Sequence, residues 1–140
     1  MKKRRVQHYT FIEIMVVVII IAILSAIVLP KFAGRTDDAR ISAAQSQLGI
    51  FQTTISTYNL DTGTYPTSEQ GLKALTHKPT SPPVPADWKG PYLQTKTLPK
   101  DPWKNEYKYS CPGKHNPESY DLYSMGPDGQ EGGGDDITNW

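Results

Sequence analysis

Several carboxylates lie close together near the end of the chain, in a segment rich in glycine. Asp128, Glu131, Asp135 and Asp136 all follow Ser124, with glycines between them. Calcium takes about six to eight oxygen ligands from carboxylates, carbonyls and water, and glycines let a loop turn its own carbonyls inward. The segment lacks the regular ligand alternation and the final glutamate of an EF-hand. These residues alone leave a calcium loop and a solvated flexible loop open, and the solvated loop is the default.

A different carboxylate, Glu13, stands in an otherwise apolar run that extends from Phe11 to Leu29. As a helix rising about 1.5 Å per residue, the run matches the hydrocarbon thickness of a bilayer. The basic residues from Lys2 to Arg5 precede it and would hold the N-terminus of a single-span anchor in the cytoplasm. Because an ionised carboxylate in that medium is costly unless it is paired, Glu13 is expected to have a partner.

Other residue types that could do chemistry form no recognisable site. His8, His77 and His115 join no nucleophile or metal constellation, and no glycine-rich loop ends in Lys-Ser or Lys-Thr to cradle a phosphate. The single cysteine, Cys111, excludes an intrachain disulfide and a cysteine-rich metal site. The net charge of +1 gives no general case for nucleic-acid binding. The sequence therefore argues against an enzyme and predicts a protein that depends on partners for energy.

A long helix must position Glu13 and continue beyond the apolar run. Pro30 directly follows the run, removes a backbone donor, and is expected to bend or loosen the helix. Apolar residues then recur at spacings of three and four, the pattern of an amphipathic helix: Ile41, Ala44, Leu48, Phe51, Ile55 and Tyr58. The sequence predicts one helix from about Thr10 to Leu60, ended by the turn Asp61-Thr62-Gly63.

The residues after Gly63 predict a head rich in loops. Six prolines between positions 66 and 91 make long strands improbable there. A short helix from Ser68 to Thr76, capped by Ser68, fits between them. The connection is expected to pack rigidly on the long helix, anchored by interspersed aromatic residues: Tyr65, Trp88 and Tyr92.

Two segments farther along predict a β-hairpin. Residues 106–110 and 119–124 alternate aromatic and polar side chains, and a run of turn formers separates them. With another short strand expected near Tyr92, they give a small antiparallel sheet. An isolated hairpin is marginal, so the apolar stripe of the helix must complete the core. The predicted fold class is α+β, a long N-terminal α-helix packed against a small antiparallel β-sheet head.

The segment from Tyr9 to Val16 resembles the start of type IV pilins and pseudopilins. In that family a prepilin peptidase removes a basic leader before an aromatic residue, and the new N-terminus is methylated. The resemblance implies cleavage between His8 and Tyr9, although the family has glycine where this chain has His8. In a filament, Glu13 could neutralise the freed Tyr9 amine of a neighbouring subunit. The alternative is an incidental carboxylate that reaches the membrane interface.

Further blocks are similar to the major pseudopilin family of type II secretion, the general secretion pathway protein G family. They are Asp61 to Leu72, Leu98 to Trp103, Ser124 to Gly133, and Asp135-Asp136-Ile137 with Asn139-Trp140. The resemblance implies a type IV pilin-like fold and a terminal loop that binds Ca²⁺. The implied ligands are the side chains of Asp128, Asp135 and Asp136 and the carbonyl of Met125. Glu131 and Asp121 are not obvious ligands and could be structural or exposed.

The same resemblance implies a function and a place in the cell. Subunits would polymerise into a periplasmic pseudopilus that helps drive folded exoproteins across the outer membrane. The implied partners are further copies of the chain, minor pseudopilins, an inner-membrane secretion platform and prepilin peptidase. The protein would cross the bacterial inner membrane once, with its N-terminus in the cytoplasm and its head in the periplasm.

The chain is accordingly divided into four parts. Residues 1–8 are the prepilin leader, 9–30 the transmembrane and assembly helix, 31–60 the amphipathic half of the helix, and 61–140 the periplasmic head. A subunit of a DNA-uptake or surface pilus is the alternative function, because it would share the N-terminal signal. Such pilins usually carry a disulfide-bounded loop near the C-terminus, which a single cysteine forbids.

Overall fold

The computed structural model describes the backbone of residues 9–140 and the side chains of residues 9–25 and 36–140. One helix, α1, extends over Phe11–Thr62. The helix predicted from about Thr10 to Leu60 is therefore present. Its backbone stays helical through Pro30, and the bend expected there stays a prediction. The leader 1–8, which contains His8, lies outside the described residues. Within the described part of the chain, no helix is both long enough and apolar enough to cross a membrane.

The chain divides into two compact units, of which the first ends at Asp38 and the second is Ala39–Trp140. Among the side chains that the structure describes, every buried hydrophobic residue lies in the second unit. The predicted apolar stripe of α1 lies in this core: Ala44, Leu48, Phe51, Ile55 and Tyr58 are buried and Ile41 is partly buried. Phe51 meets Tyr107 edge to face, with ring centroids 5.2 Å apart. The spacing of three and four predicted these contacts correctly.

The opposite face of this half of α1 is exposed and carries no formal charge. Between Arg40 and Asp61 no side chain is charged at neutral pH. Several hydroxyl groups on this face donate to the carbonyl four residues earlier, at 2.8 to 3.0 Å: those of Ser46, Thr53, Ser56 and Thr57. These hydroxyls make their hydrogen bonds within the helix and therefore need few hydrogen bonds to water. We call this surface, from Ser42 to Leu60, the uncharged face.

The short helix of the head differs from the prediction. A 3-10 helix, Gly71–Leu75, has no side-chain cap, and the predicted cap Ser68 instead bonds the backbone of Cys111. A capping box lies in the preceding turn, 67–70, where the Thr67 hydroxyl accepts the Gln70 N–H and the Gln70 side chain accepts the Thr67 N–H. This reciprocal pair needs Glu or Gln three residues after the cap. Thr67 has Gln70 at that position, whereas Ser68 has Gly71.

Three strands form an antiparallel sheet in the order β1-β2-β3. The strands are β1 Lys108–Ser110, β2 Asp121–Ser124 and β3 Ile137–Thr138. The predicted hairpin is confirmed, since Tyr109 lies opposite Leu122. The strand expected near Tyr92 is wrong. The N–H groups of Tyr92 and Leu93 both donate to the Leu75 carbonyl, so this segment is anchored to the 3-10 helix instead.

The aromatic residues of the connection anchor it as predicted. The indole N–H of Trp88 donates to the Ala74 carbonyl at 2.9 Å. Tyr92 packs edge to face on both Trp88 and Tyr58. Tyr92 thereby holds the end of the proline-rich segment against the second half of α1.

Candidate functional site

The first candidate site is the start of α1, where the structure places Tyr9 and Glu13. Tyr9 is 70% exposed. Thr10 and Glu13 form a capping box: the Thr10 hydroxyl accepts the Glu13 N–H at 3.2 Å, and the Glu13 carboxylate accepts the Thr10 N–H at 3.4 Å. The second bond is long. Glu13 therefore has a weak partner within its own chain, and its carboxylate stays exposed.

Glu13 stands at the end of a large apolar surface. The big apolar side chains from Phe11 to Leu24 are each about 50% exposed or more. Tyr9, Glu13 and Val17 line a shallow groove of about 290 Å³ together with Ile14 and Val18. A contiguous apolar surface of this kind is typical of a membrane or protein interaction site.

The second candidate site is the loop that joins β2 to β3, residues 125–136, which we call the acidic loop. Ser124 pairs with Ile137 across the sheet, so the two ends of the loop meet at one point. Gly126 has φ of +63°, and a Cβ there would lie 2.3 Å from the Asp135 carbonyl oxygen. Only glycine permits this close approach. The sheet and Gly126 together bring the start of the loop against Asp135.

The three predicted ligand carboxylates each bind a backbone N–H of the loop through one oxygen. Asp128 Oδ1 accepts from Gln130 at 2.8 Å, and Asp135 Oδ2 accepts from Asp128 at 3.2 Å. Asp136 Oδ2 accepts from Gly132 at 2.8 Å. The loop is thus ordered by its own carboxylates, and these bonds use only one oxygen of each.

The second oxygens of these carboxylates have other surroundings. Asp128 Oδ2 and Asp135 Oδ1 lie 3.2 and 3.1 Å from where a Cβ of Gly133 would stand, and they therefore converge on that glycine. Asp136 Oδ1 is buried without a hydrogen-bond partner. Buried polar atoms without a partner are rare and call for an unseen ligand or water. Met125 is half-buried between Ser124 and Gly126.

The carboxylates do not form a complete metal site by themselves. Among the described residues, no group of three or more His, Cys, Asp or Glu side chains lies close enough to hold a metal ion. Calcium also accepts carbonyl and water oxygens. A cation in this loop would therefore need backbone carbonyls beside the converging oxygens of Asp128 and Asp135.

Asp121 has a structural role, whereas Glu131 is exposed. Asp121 is 2% exposed and accepts N–H groups from His115 at 2.8 Å and Asn116 at 2.9 Å. Burial opposes ionisation of Asp121, but these hydrogen bonds outweigh it and hold its pKa below the usual value. Burial, followed by a hydrogen bond to Glu131, raises the pKa of Tyr123 to about 12. The hydrogen bonds of Asp121 therefore explain its place without a cation.

The structure adds two residues that sequence reasoning missed, Asp101 and Ser124. Asp101 is 4% exposed, and its Oδ1 accepts the N–H groups of Trp103 at 3.0 Å and Asn105 at 2.7 Å. Its Oδ2 accepts the Ser124 hydroxyl at 2.6 Å. The dipeptide Asp-Pro at 101 and 102 is a turn signal and could have identified the turn. The contact with Ser124 has no local signal.

Aromatic rings lie beside the acidic loop. Trp140 stacks on His115 with ring centroids 4.0 Å apart and meets Tyr123 edge to face at 5.6 Å. These three residues line a shallow cleft together with Glu131 and Asp136. Because Tyr123 and Trp140 absorb in the near ultraviolet, their spectra can report changes in the loop beside them.

Comparison with known proteins gives one consistent result. The sequence pattern of the family described as Type II secretion system (T2SS), protein G, matches residues 31–140. The chain is 46% identical to the type II secretion system core protein G of Pseudomonas aeruginosa over 144 aligned residues, which cover 100% of this chain and 99% of that protein. It is 44% identical to the protein of the same name from Escherichia coli K12, over 94% of this chain and 89% of that protein.

A solved structure agrees with these sequence relatives. The crystal structure of the major pseudopilin from the type 2 secretion system of enterohaemorrhagic Escherichia coli matches with a TM-score of 0.68 and 40% identity. The match covers 76% of this chain and 87% of that chain. The predicted long helix with a small antiparallel sheet is therefore confirmed as the fold of that pseudopilin.

Proposed function

This chain belongs to the type II secretion system protein G family, and from that premise we propose that it is the major pseudopilin subunit of a bacterial type II secretion system. Copies of the chain polymerise into the pseudopilus, which helps drive folded exoproteins across the outer membrane. The role is structural, and a partner supplies the energy. The observation that carries this proposal is the combined match of sequence and fold to a major pseudopilin.

Deleting the gene in its own bacterium tests this function. We expect folded exoproteins to accumulate in the periplasm and to disappear from the culture medium. A plasmid copy of the wild-type chain should restore secretion, and its overproduction should yield filaments. Normal secretion combined with lost DNA uptake or lost surface pili would overturn the proposal in favour of a different pilus.

We propose that the chain crosses the inner membrane once, with the head in the periplasm. The apolar run from Phe11 to Leu29 and the basic residues from Lys2 to Arg5 support this placement. Carbonate washing should leave the chain in the membrane fraction, and protease added to spheroplasts should degrade the head. Release by carbonate would contradict the anchor.

We propose that prepilin peptidase cuts between His8 and Tyr9 and that the new N-terminus is methylated. The support is the sequence from Tyr9 to Val16, because His8 lies outside the described residues. Intact mass of the membrane-extracted chain measures both modifications. A chain that still begins at Met1 contradicts the cut. His8→Gly should speed cleavage, since glycine lets the extended backbone approach the peptidase closely.

We propose that Glu13 pairs with the Tyr9 amine of a neighbouring subunit during assembly. The exposed carboxylate and the adjoining apolar groove support this pairing, because two buried charges that neutralise each other are far less costly than either alone. The weak capping bond to Thr10 is easily exchanged for a stronger partner.

Two substitutions separate the charge of Glu13 from its capping role. Glu13→Gln keeps a side-chain oxygen at the capping position but removes the charge, whereas Glu13→Ala removes both. Pairing by charge predicts that both variants lose filaments and secretion. Filaments of Glu13→Gln at the wild-type level would show that capping, not charge pairing, is what assembly requires.

We propose that the acidic loop binds Ca²⁺ through the side chains of Asp128, Asp135 and Asp136 and the Met125 carbonyl. The buried, unpartnered Asp136 Oδ1 and the two carboxylate oxygens that converge on Gly133 support the three aspartates as donors. The Met125 carbonyl is included because the family resemblance implies it. When bound, the ion would neutralise clustered negative charge and join both ends of the loop. One oxygen of each carboxylate already accepts a backbone N–H and so orders the loop, which leaves the other oxygen of each for a cation.

Thermal melting of the purified chain in chelator and in millimolar calcium tests this site. Calcium at about 100 times its Kd adds about 2.7 kcal/mol to stability, which should raise Tm by several degrees. Asp128→Ala should reduce the response, while Asp87→Ala, which removes an exposed carboxylate outside the loop, should leave it intact. An equal Tm in chelator and calcium would refute the site.

A further inference from the structure

We infer that Asp101 is a positioning residue for the acidic loop and acts on the cation ligands through the hydroxyl of Ser124. The inference rests on the calcium binding proposed above. Asp101 lies in the turn 101–105, outside the loop, and contributes no oxygen to the proposed site. Asp101 fixes the position of Ser124, which pairs with Ile137 where the two ends of the loop meet.

Ser124 is the residue at which the loop is closed. It is fully buried and lies opposite Ile137 in the sheet, so its position sets both ends of the loop. The Ser124 hydroxyl donates to Asp101 Oδ2 at 2.6 Å. The Ser124 Oγ also accepts the N–H of Gly126 at 3.2 Å. The first bond orients the hydroxyl proton towards Asp101, which leaves a lone pair for Gly126.

Gly126 transmits this position to the carboxylates. Its Cα approaches the backbone and Oδ2 of Asp135 so closely that a Cβ would lie 2.3 and 3.0 Å away. Asp135 Oδ2 in turn accepts the N–H of Asp128. A continuous chain of contacts therefore connects Asp101, Ser124, Gly126, Asp135 and Asp128, and the last two are proposed cation ligands.

Asp101 is itself held rigidly. Its Oδ1 accepts two N–H groups of its own turn, and its backbone N–H donates to the Asn105 carbonyl at 2.9 Å. The Asn105 side chain also lies next to the loop, 3.4 Å from where a Cβ of Gly129 would stand. The turn 101–105 thus contacts the residue that precedes the loop, Ser124, and lies next to Gly129 within it.

The Asp101→Asn substitution isolates the contact with Ser124. An amide has one acceptor oxygen, whereas a carboxylate has two. The amide oxygen can still accept the N–H groups of Trp103 and Asn105, so the turn keeps its bonds. The amide nitrogen then faces the Ser124 hydroxyl and cannot accept its proton. Ser124 must turn its hydroxyl elsewhere and loses the orientation that serves Gly126.

Cation affinity of the full-length chain in detergent tests the inference, with calcium measured by calorimetry and terbium by luminescence. Residues that orient metal ligands change affinity by about 10- to 100-fold when removed, so Asp101→Asn and Ser124→Ala should each raise Kd by about that factor. The double variant should be no weaker than either single variant, because both remove the same link.

Asp121→Asn is the matched control. Asp121 is as deeply buried as Asp101 and also accepts two backbone N–H groups of a turn, but it holds the turn 113–116 and has no bond to the acidic loop among those described. We expect Asp121→Asn to lower Tm and leave the Kd for calcium and terbium unchanged.

The luminescence lifetime of bound terbium in H₂O and D₂O gives a readout that a purely structural role would not move. Tyr123 and Trp140 lie beside the loop and can sensitise the ion. Loosened ligands admit water, so saturated Asp101→Asn should hold more coordinated waters than the wild-type chain, and saturated Asp121→Asn should not.

The possible failures are distinguishable. A wild-type chain that binds neither ion overturns the calcium site and this inference together. Tight wild-type binding with equally tight binding by Asp101→Asn overturns the inference alone. If Asp101→Asn does not fold, Ser124→Ala decides the outcome, and unchanged Kd and unchanged hydration in that variant overturn the inference.

Discussion

The close approach of Gly126 to Asp135 makes Gly126→Ala a sensitive test of the loop geometry. Gly126 has φ of +63°, and an added Cβ would lie 2.3 Å from the Asp135 carbonyl oxygen. Ordinary van der Waals contact begins at 3.4 Å, so the Asp135 backbone must withdraw by about 1 Å. The substitution therefore opens the loop where its two ends meet.

Two costs add in the free energy of unfolding. Alanine in the left-handed conformation costs about 1–2 kcal/mol. Withdrawal of Asp135 also breaks the bond from the Asp128 N–H to Asp135 Oδ2, 3.2 Å long, which is worth about 0.5–1.5 kcal/mol. We expect Gly126→Ala to lose about 1.5–3.5 kcal/mol in total.

Gly129→Ala provides the control. Gly129 has a similar φ of +68°, but a Cβ there would meet only the Asn105 side chain, at an ordinary 3.4 Å. It should lose only the conformational cost of about 1–2 kcal/mol. Urea denaturation of residues 39–140, which contain the whole core, measures both variants by tryptophan fluorescence in chelator. Equal losses would refute the proposed contact between Gly126 and Asp135.

Three further predictions concern the head. Phe51→Ala, which empties a fully buried site, should lower the free energy of unfolding by about 3–5 kcal/mol. Ile50→Ala on the uncharged face should change the free energy of unfolding by less than about 0.5 kcal/mol. Chemical denaturation measures both variants. Burial alone would raise the pKa of Asp121, but hydrogen bonds from the turn 113–116 lower it below the usual value. Its stabilisation is therefore complete above the unfolded-state pKa and is lost as the pH falls through the folded-state pKa, and Asp121→Asn should flatten the acid side of a curve of stability against pH. Burial, and then a neighbouring carboxylate, raises the pKa of Tyr107 to about 12, so its stabilisation is complete below the unfolded-state value near 10 and is lost as the pH rises through about 12. Ultraviolet titration should show late tyrosinate absorbance that Tyr107→Phe reduces.

The long helix and the hairpin were predictable because their signals are periodic and local. The stripe from Ile41 to Tyr58 repeats over several turns, and the core uses the residues that this period selects. The segments 106–110 and 119–124 alternate aromatic and polar residues on either side of a run of turn formers, which is the local signal of a hairpin. Both elements therefore follow from patterns that need no knowledge of distant residues.

The third strand was missed because it is too short to carry a pattern. β3 has only Ile137 and Thr138. Its place beside β2 is secured by Asn139, whose N–H donates to the Leu122 carbonyl and whose side-chain oxygen accepts the Leu122 N–H. Two residues are too few to show the alternating pattern of a strand in the sequence, and the side chain that holds β3 in place comes after it.

The candidate site was predictable in its residue types but not in its support. The clustered carboxylates and glycines alone left a cation loop and a solvated loop open. The bond between Asp101 and Ser124 joins residues 23 positions apart in the sequence. Such a contact depends on how the turn 101–105 packs against β2, and no local pattern specifies that packing.

The uncharged face of α1 has a consequence for how ions in solution act on any contact made there. Dissolved salt screens interactions between charges, with a Debye length of about 8 Å at physiological ionic strength, and this face offers no charges to screen from Ser42 to Leu60. Excluded salts such as sulfate strengthen apolar burial instead. Subunit contacts through this face should therefore persist or tighten as sulfate is added, whereas an exposed ion pair such as Asp61 with Lys89 should weaken.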